Sequence, residues 1–163
     1  MKFSLISDMH IDFPQPKTPY DLLDKNVIIA GDTSNGLEGL KFLQKLRNKG
    51  FDVFAVDGNH EHYSNLRQRR SHQETLDRFR QDNPSVYEME GIPVFGTNGW
   101  YPVSAYNTWY MSMNDCRNGF SDDPEHGAEM VRQLQHTAYL DLRDNLLTTK
   151  DKCIIVTHTA PCE

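Results

Sequence analysis

The chain has 163 residues, of which 37% are hydrophobic, 25% charged and 10% aromatic, and its formal net charge is -6. That length suits a single domain, the aromatic content argues against a disordered chain, and no apolar run approaches the ~18 residues of a membrane span. An acidic balance disfavours long duplex nucleic acid as a partner unless a local patch or a bound cation reverses the field.

The N-terminus MKFSLISDMH carries one Lys and only a short apolar stretch, too little for a signal-peptide core. Cys116, Cys153 and Cys162 are odd in number and lack CxxC spacing, which fits reduced thiols better than a disulfide framework or a structural zinc site. The expectation is one cytoplasmic domain, residues 1–163, with no membrane association.

Phe3-Ser4-Leu5-Ile6 reads as a first strand, and Asn26-Val27-Ile28-Ile29-Ala30 as a second, stopped by Gly31-Asp32. Phe51 to Val56 is a third, stopped by Asp57-Gly58-Asn59. Continuous apolar runs of this length suit strands buried on both faces. Between the second and third, Leu37, Leu40, Leu43 and Leu46 recur every three residues, and Gly50 stands where a helix C-cap belongs. Strand, helix and strand with short connections predict a parallel sheet.

Residues 64–82 predict a surface helix with Leu66, Leu76 and Phe79 as a thin apolar stripe and Arg67-Gln68-Arg69-Arg70 on a solvated face. Val86–Glu90 and Ile92–Gly96 predict two strands around Gly91. Thr97 to Pro124 reads as a long loop, a type that is often functional. Its Tyr101, Tyr106, Trp109 and Tyr110 would stack on a base, cover a site, or pack on the body of the domain. Arg117, near Asn114 and Asp115, would meet a phosphate oxygen or form a surface ion pair. Glu125 to Leu147 predicts a helix, and Cys153–Thr157 a last strand followed at once by His158.

Four of these strands end in side chains able to bind metal: Asp8 and His10, Asp32, Asn59-His60-Glu61, and His158. In an open α/β sheet, ligands bind beyond the carboxyl ends of the strands. Asp8 and His10 are two residues apart, a spacing that shares one face of an extended segment. Asp32 has two oxygens and is able to bridge two ions, Asn59 offers a neutral oxygen and His158 a nitrogen. Such mixed donors suit Mn, Fe or Zn better than Ca or Mg. Taken singly, each residue is an ordinary turn, cap or surface residue; their shared place at strand ends is what points to a site.

The ordered set Asp8-Met9-His10, Gly31-Asp32, Gly58-Asn59-His60-Glu61 and Thr157-His158-Thr159-Ala160-Pro161 resembles the calcineurin-like metallophosphoesterase family. Val94-Phe95-Gly96-Thr97-Asn98-Gly99-Trp100 is similar to a strand and turn of one bacterial and phage branch. The resemblance implies an α/β fold, a four-layer α/β/β/α sandwich around two divalent metals, manganese first, with iron, zinc or nickel as alternatives. It implies that Asp8 and His10 hold one metal, that Asp32 bridges both, and that Asn59 and His158 hold the other. It further implies hydrolysis of phosphate mono- or diesters by a metal-bridging hydroxide. His60 would be the general acid, Glu61 would orient His60, and Asn59 and His60 would touch the substrate. A nuclease, a nucleotide phosphodiesterase, or an impaired or inactive binding module are the alternatives.

The family also carries a Gly-His-x-His segment, and none occurs in this sequence. A C-terminally incomplete fragment, a complete minimal protein, and a protein that borrows ligands from another chain are the competing expectations. His62, His72, His126 and His136 are possible substitutes, but each reads better as a surface histidine. Absent strands would leave a sheet edge open to homo-oligomerisation.

Overall fold

The second and third predicted strands make the centre of the molecule. The computed structural model describes residues 1–14, 20–63, 69–101, 115, 124–149 and 152–159. Strand β2 (Asn26–Ala30) is buried along its whole length and runs between β1 (Ser4–Ile6) and β3 (Asp52–Val56). Both pairings are parallel, with Ile29 opposite Ile6 and Ala55. A short 3-10 turn (Gly36–Glu38) and helix α1 (Gly39–Asn48) connect β2 to β3.

Alternation along the strands sends side chains to two different cores. Val27, Ile29, Val53 and Ala55 meet Leu43 and Leu46 of α1 and Phe79 of a second helix. Leu43 and Leu46 are fully buried, and each such burial contributes about 1.5–3 kcal/mol. Ile28, Ala30, Phe54 and Val56 point the other way and meet Met89, Val94 and Val156 of a second sheet. That sheet has the order β4 (Val86–Met89), β5 (Ile92–Thr97), β6 (Ile154–Thr157). Its β4–β5 pair is antiparallel and its β5–β6 pair parallel. The fold is thus α/β, with two small sheets back to back and helices against the first.

Helix α2 spans His72–Asp82, starting later than the charge pattern suggests. Ser71 caps it in a reciprocal box with Glu74, which satisfies backbone N–H groups that the first turn leaves open. Arg69 has φ 51° and lies before the cap, so Arg69 and Arg70 are not on a helix face. Leu66, Arg67 and Gln68 lie outside the described residues. Gly50, with φ 91°, follows the α1 C-cap as the leucine spacing predicts. Helix α3 (Pro124–Thr148) packs Ala128, Val131 and Ala138 around Trp100. Among the described residues no helix is long and apolar enough to cross a membrane.

The predicted long loop is described only at Thr97–Tyr101, Asp115 and its end at α3. Tyr106, Trp109, Tyr110, Asn114 and Arg117 lie outside the described residues, as do Cys116, Cys162, Ala160 and Pro161.

Candidate metal centre

Backbone pairing continues past the strand ends and carries the polar side chains with it. Asp8 N–H donates to the Gly31 carbonyl at 3.2 Å, and His10 N–H to the Asp32 carbonyl at 3.0 Å. His158 N–H donates to the Asn98 carbonyl at 3.0 Å, which fastens the end of β6 to the end of β5. Asp8, His10 and Asp32 have φ of 54°, 42° and 54°. Left-handed backbone is uncommon for residues with a Cβ, and such strain gathers at functional sites. Because of it, the chain at Asp8 and His10 is not an extended strand, and the two side chains part.

Two groups of ligating atoms result, each drawn together within 4.8 Å: His10, Asp32 and His60, and Asp8, Asp32 and His158. Asp32 belongs to both. Its Oδ2 lies 3.9 Å from His10 Nε2 and 3.7 Å from His60 Nε2. Its Oδ1 lies 3.4 Å from His158 Nε2. The His10 and His60 rings meet edge to face at 4.3 Å. So Asp8 sorts with His158, and His10 with His60, rather than Asp8 with His10.

Tautomers follow from the partners. His158 Nδ1 lies 2.8 Å from the Ala30 carbonyl oxygen, which only accepts, so that nitrogen carries the proton. The other nitrogen, Nε2, faces Asn59 Oδ1 at 2.9 Å as well as Asp32 Oδ1. In the neutral imidazole these are three acceptors facing one another, an arrangement that a cation relieves. The donor set therefore fits a divalent metal.

Glycine makes this approach feasible at two positions. Gly31 has φ 81°, and a Cβ there would stand 2.5 Å from His158 Nδ1. A Cβ on Gly58 would strike Asp32 Oδ1 and lie 2.5 Å from the Asp32 backbone nitrogen.

The family model of the calcineurin-like phosphoesterases matches residues 1–162. The chain belongs to that family. No curated protein matches it in sequence. Among solved structures, the phosphopantetheinyl hydrolase of Mycobacterium tuberculosis is similar in fold, with a TM-score of 0.64 and 19% identity. The match covers 96% of this chain and 67% of that one. Members of the family typically bind divalent metals, and the two groups around Asp32 are candidate ligand groups for them.

His60 is held from both sides. Asp12 Oδ2 accepts from Asn35 Nδ2 at 2.8 Å, which turns Asn35 Oδ1 toward His60 Nδ1 at 2.7 Å. His60 Nδ1 therefore carries a proton, and Nε2 is the nitrogen turned to Asp32. The Tyr63 ring stacks on His60 at 4.0 Å. Burial lowers the His60 pKa; the Asp32 charge opposes this and His10 adds to it.

Glu61 is buried and does not serve the His60 ring, whose Nδ1 partner is Asn35. Its carboxylate accepts from the backbone N–H groups of Gly58 at 2.6 Å, Thr33 at 2.8 Å and Asp32 at 3.1 Å. It ties the loop after β2 to the loop after β3 and so positions Asp32. Burial pushes the Glu61 carboxyl up to about 8; the N–H groups of Gly58 and Thr33 oppose this, and the Asp32 and Asp57 charges add to it.

His62 and His72 are not surface histidines. They are 1% and 6% exposed, and their Nδ1 atoms lie 3.0 Å apart. His62 Nε2 reaches Asp57 Oδ2 at 3.1 Å. Their burial disqualifies them as surface residues, and their pairing engages His62 away from the cage; His126 and His136 are exposed, as expected. Sequence reasoning also passed over Asp12 and Asn35. Asn35 stands three residues after Asp32 within the same turn, which was the available signal.

Proposed function

We propose that the chain hydrolyses phosphate mono- or diesters at a two-metal centre held by Asp8, His10, Asp32, Asn59 and His158. The observation that supports this most is the meeting of acceptor atoms from four strand ends around the single carboxylate of Asp32. When bound, paired divalent cations, manganese being the first choice, supply Lewis acidity and a water of lowered pKa, so that a nucleophile exists at neutral pH. Asp32 presents one oxygen to each ligand group and suits a bridging role. Asn59 adds a neutral oxygen that leaves positive charge for an anionic substrate.

His60 is the general acid in this reading. Asn35 Oδ1 keeps the proton on Nδ1, so the proton that moves is the one on Nε2, which faces the cage. The leaving oxygen takes that proton as its bond to phosphorus breaks. An arriving phosphoester anion raises the low His60 pKa and so favours the protonated imidazole the step requires. Glu61 and Asn35 act by position alone.

The same reading takes the two sheets and their helices as the four-layer α/β/β/α sandwich of the family, in one cytoplasmic domain over residues 1–163. The test is hydrolysis of p-nitrophenyl phosphate and bis-p-nitrophenyl phosphate with added Mn²⁺. Metal-dependent turnover of either is the expected result. Bound metal with turnover of neither would leave an inactive binding module instead.

A further inference from the structure

Asp115 lies beyond β5 in sequence and is 1% exposed. Its carboxylate accepts three hydrogen bonds. Asn59 Nδ2 donates to Oδ1 at 2.8 Å, the Tyr63 hydroxyl donates to the same oxygen, and the Tyr101 hydroxyl donates to Oδ2. Two of those three donors belong to the centre: Asn59 faces His158, and Tyr63 stacks on His60.

An amide side chain has two unlike ends. A carboxylate only accepts, so it selects the NH₂ end of whichever amide it faces. Asp115 takes the Asn59 Nδ2 and thereby turns Oδ1 to the opposite side, where it lies 2.9 Å from His158 Nε2. Reversed by a half-turn about its last torsion, Asn59 would offer N–H donors to the cage and no ligand atom. Ala30 does the same for His158 by fixing the proton on Nδ1. The two facing donor atoms are thus each set by an anchor behind them.

We propose that Asp115 is a positioning residue for the metal centre: it sets which end of the Asn59 amide faces the cage, and through Tyr63 it also braces the His60 ring. This rests on the two-metal reading above and deepens it. Outer partners of metal ligands typically govern about 10–100-fold in metal affinity, and Asp115 is assigned that role toward the site that contains Asn59.

The test is Mn²⁺ affinity of the purified chain, read by calorimetry and by the loss of the free Mn²⁺ EPR signal. Asp115→Asn keeps the shape but presents both donor and acceptor, so Asn59 is free to turn either way. Its Mn²⁺ affinity is expected to fall about 10-fold or more, with circular dichroism unchanged. Adding Asn59→Asp to that variant is expected to restore binding, since a carboxylate offers oxygen in either orientation. Asn59→Asp alone faces Asp115 with like charge, and is expected to bind Mn²⁺ more weakly than the double variant. Should Asp115→Asn fail to fold, Asn59→Asp against wild type carries the test: beside Asp115 it is expected to bind Mn²⁺ no more tightly than wild type, and tighter binding overturns the positioning role. Wild-type binding with equal affinity in Asp115→Asn, or no difference between Asn59→Asp and the double variant, overturns the positioning role while the metal centre stands. A wild-type chain that binds no Mn²⁺ overturns both.

Discussion

At the scale of single residues, His158, Asn59 and His60 are each fixed by a partner one step farther out. Ala30 sets the His158 tautomer, Asp12 sets Asn35, and Asn35 sets His60. His60→Ala should slow hydrolysis about 10²–10⁴-fold for a poor leaving group such as an alkyl alcohol. The loss should be smaller for p-nitrophenolate, which leaves without help. Equal losses for both leaving groups would remove His60 from the acid role. Asp32→Asn should lower the number of Mn²⁺ ions bound per chain, because one carboxylate serves both ligand groups; full stoichiometry by equilibrium dialysis would contradict that. The candidate ligands were legible in the sequence because they follow apolar strands directly. Asp115 was not legible, since a carboxylate inside a long polar loop carries no mark of the amide it will meet. Nor was the sorting of Asp8 with His158, which arises from positive φ at Asp8 and His10 that no residue type announces.

At the scale of elements, the start of α2 is the informative case. A run of charge from 64 to 82 reads as one surface helix, yet Ser71 and Glu74 close a capping box that begins it at His72. Ser71→Ala should cost about 1 kcal/mol in thermal or denaturant unfolding. Behind that first turn, His72 meets His62, which meets Asp57. Burial opposes the Asp57 charge, but the hydrogen bond and charge of His62 hold its carboxyl below the usual range. Burial, with the His62 charge adding, holds the His72 imidazole down to about 3, against ~6.5 in an unfolded chain. Between those values only the unfolded chain binds the proton at this position. The His72 contribution to stability is therefore complete above about pH 6.5 and is lost as the pH falls toward 3. Melting curves from pH 7 to pH 5 should show a falling Tm, and His72→Gln should flatten the fall. An unchanged slope in that variant would contradict a buried neutral His72. The burial of His62 and His72 could not be read from the sequence because Asp57, the partner of His62, looked like a turn residue.

At the scale of the whole molecule, two back-to-back sheets bring four distant segments to one rim. Continuous apolar runs such as Asn26–Ala30 and Asp52–Val56 gave this away, since a strand buried on both faces needs no alternation. The division of strands between two sheets, with β6 parallel to β5, had no such signal because pairing partners are set by long-range packing. Among the described residues strand β1 lies at the edge of its sheet with Leu5 64% exposed, and an unpaired edge is a surface through which copies of a chain pair. Light scattering over rising concentration should give a mass above the 18.8 kDa of one chain; a constant monomer mass would contradict edge pairing.

The proposed centre gathers strand-end side chains around Asp32 to hold two cations. Anomalous diffraction from crystals soaked in Mn²⁺ tests it most directly. Two peaks flanking the Asp32 carboxylate, within coordination distance of His10 and His158, are predicted. Crystals with no peak at Asp32, or with manganese only at other carboxylates, would contradict it.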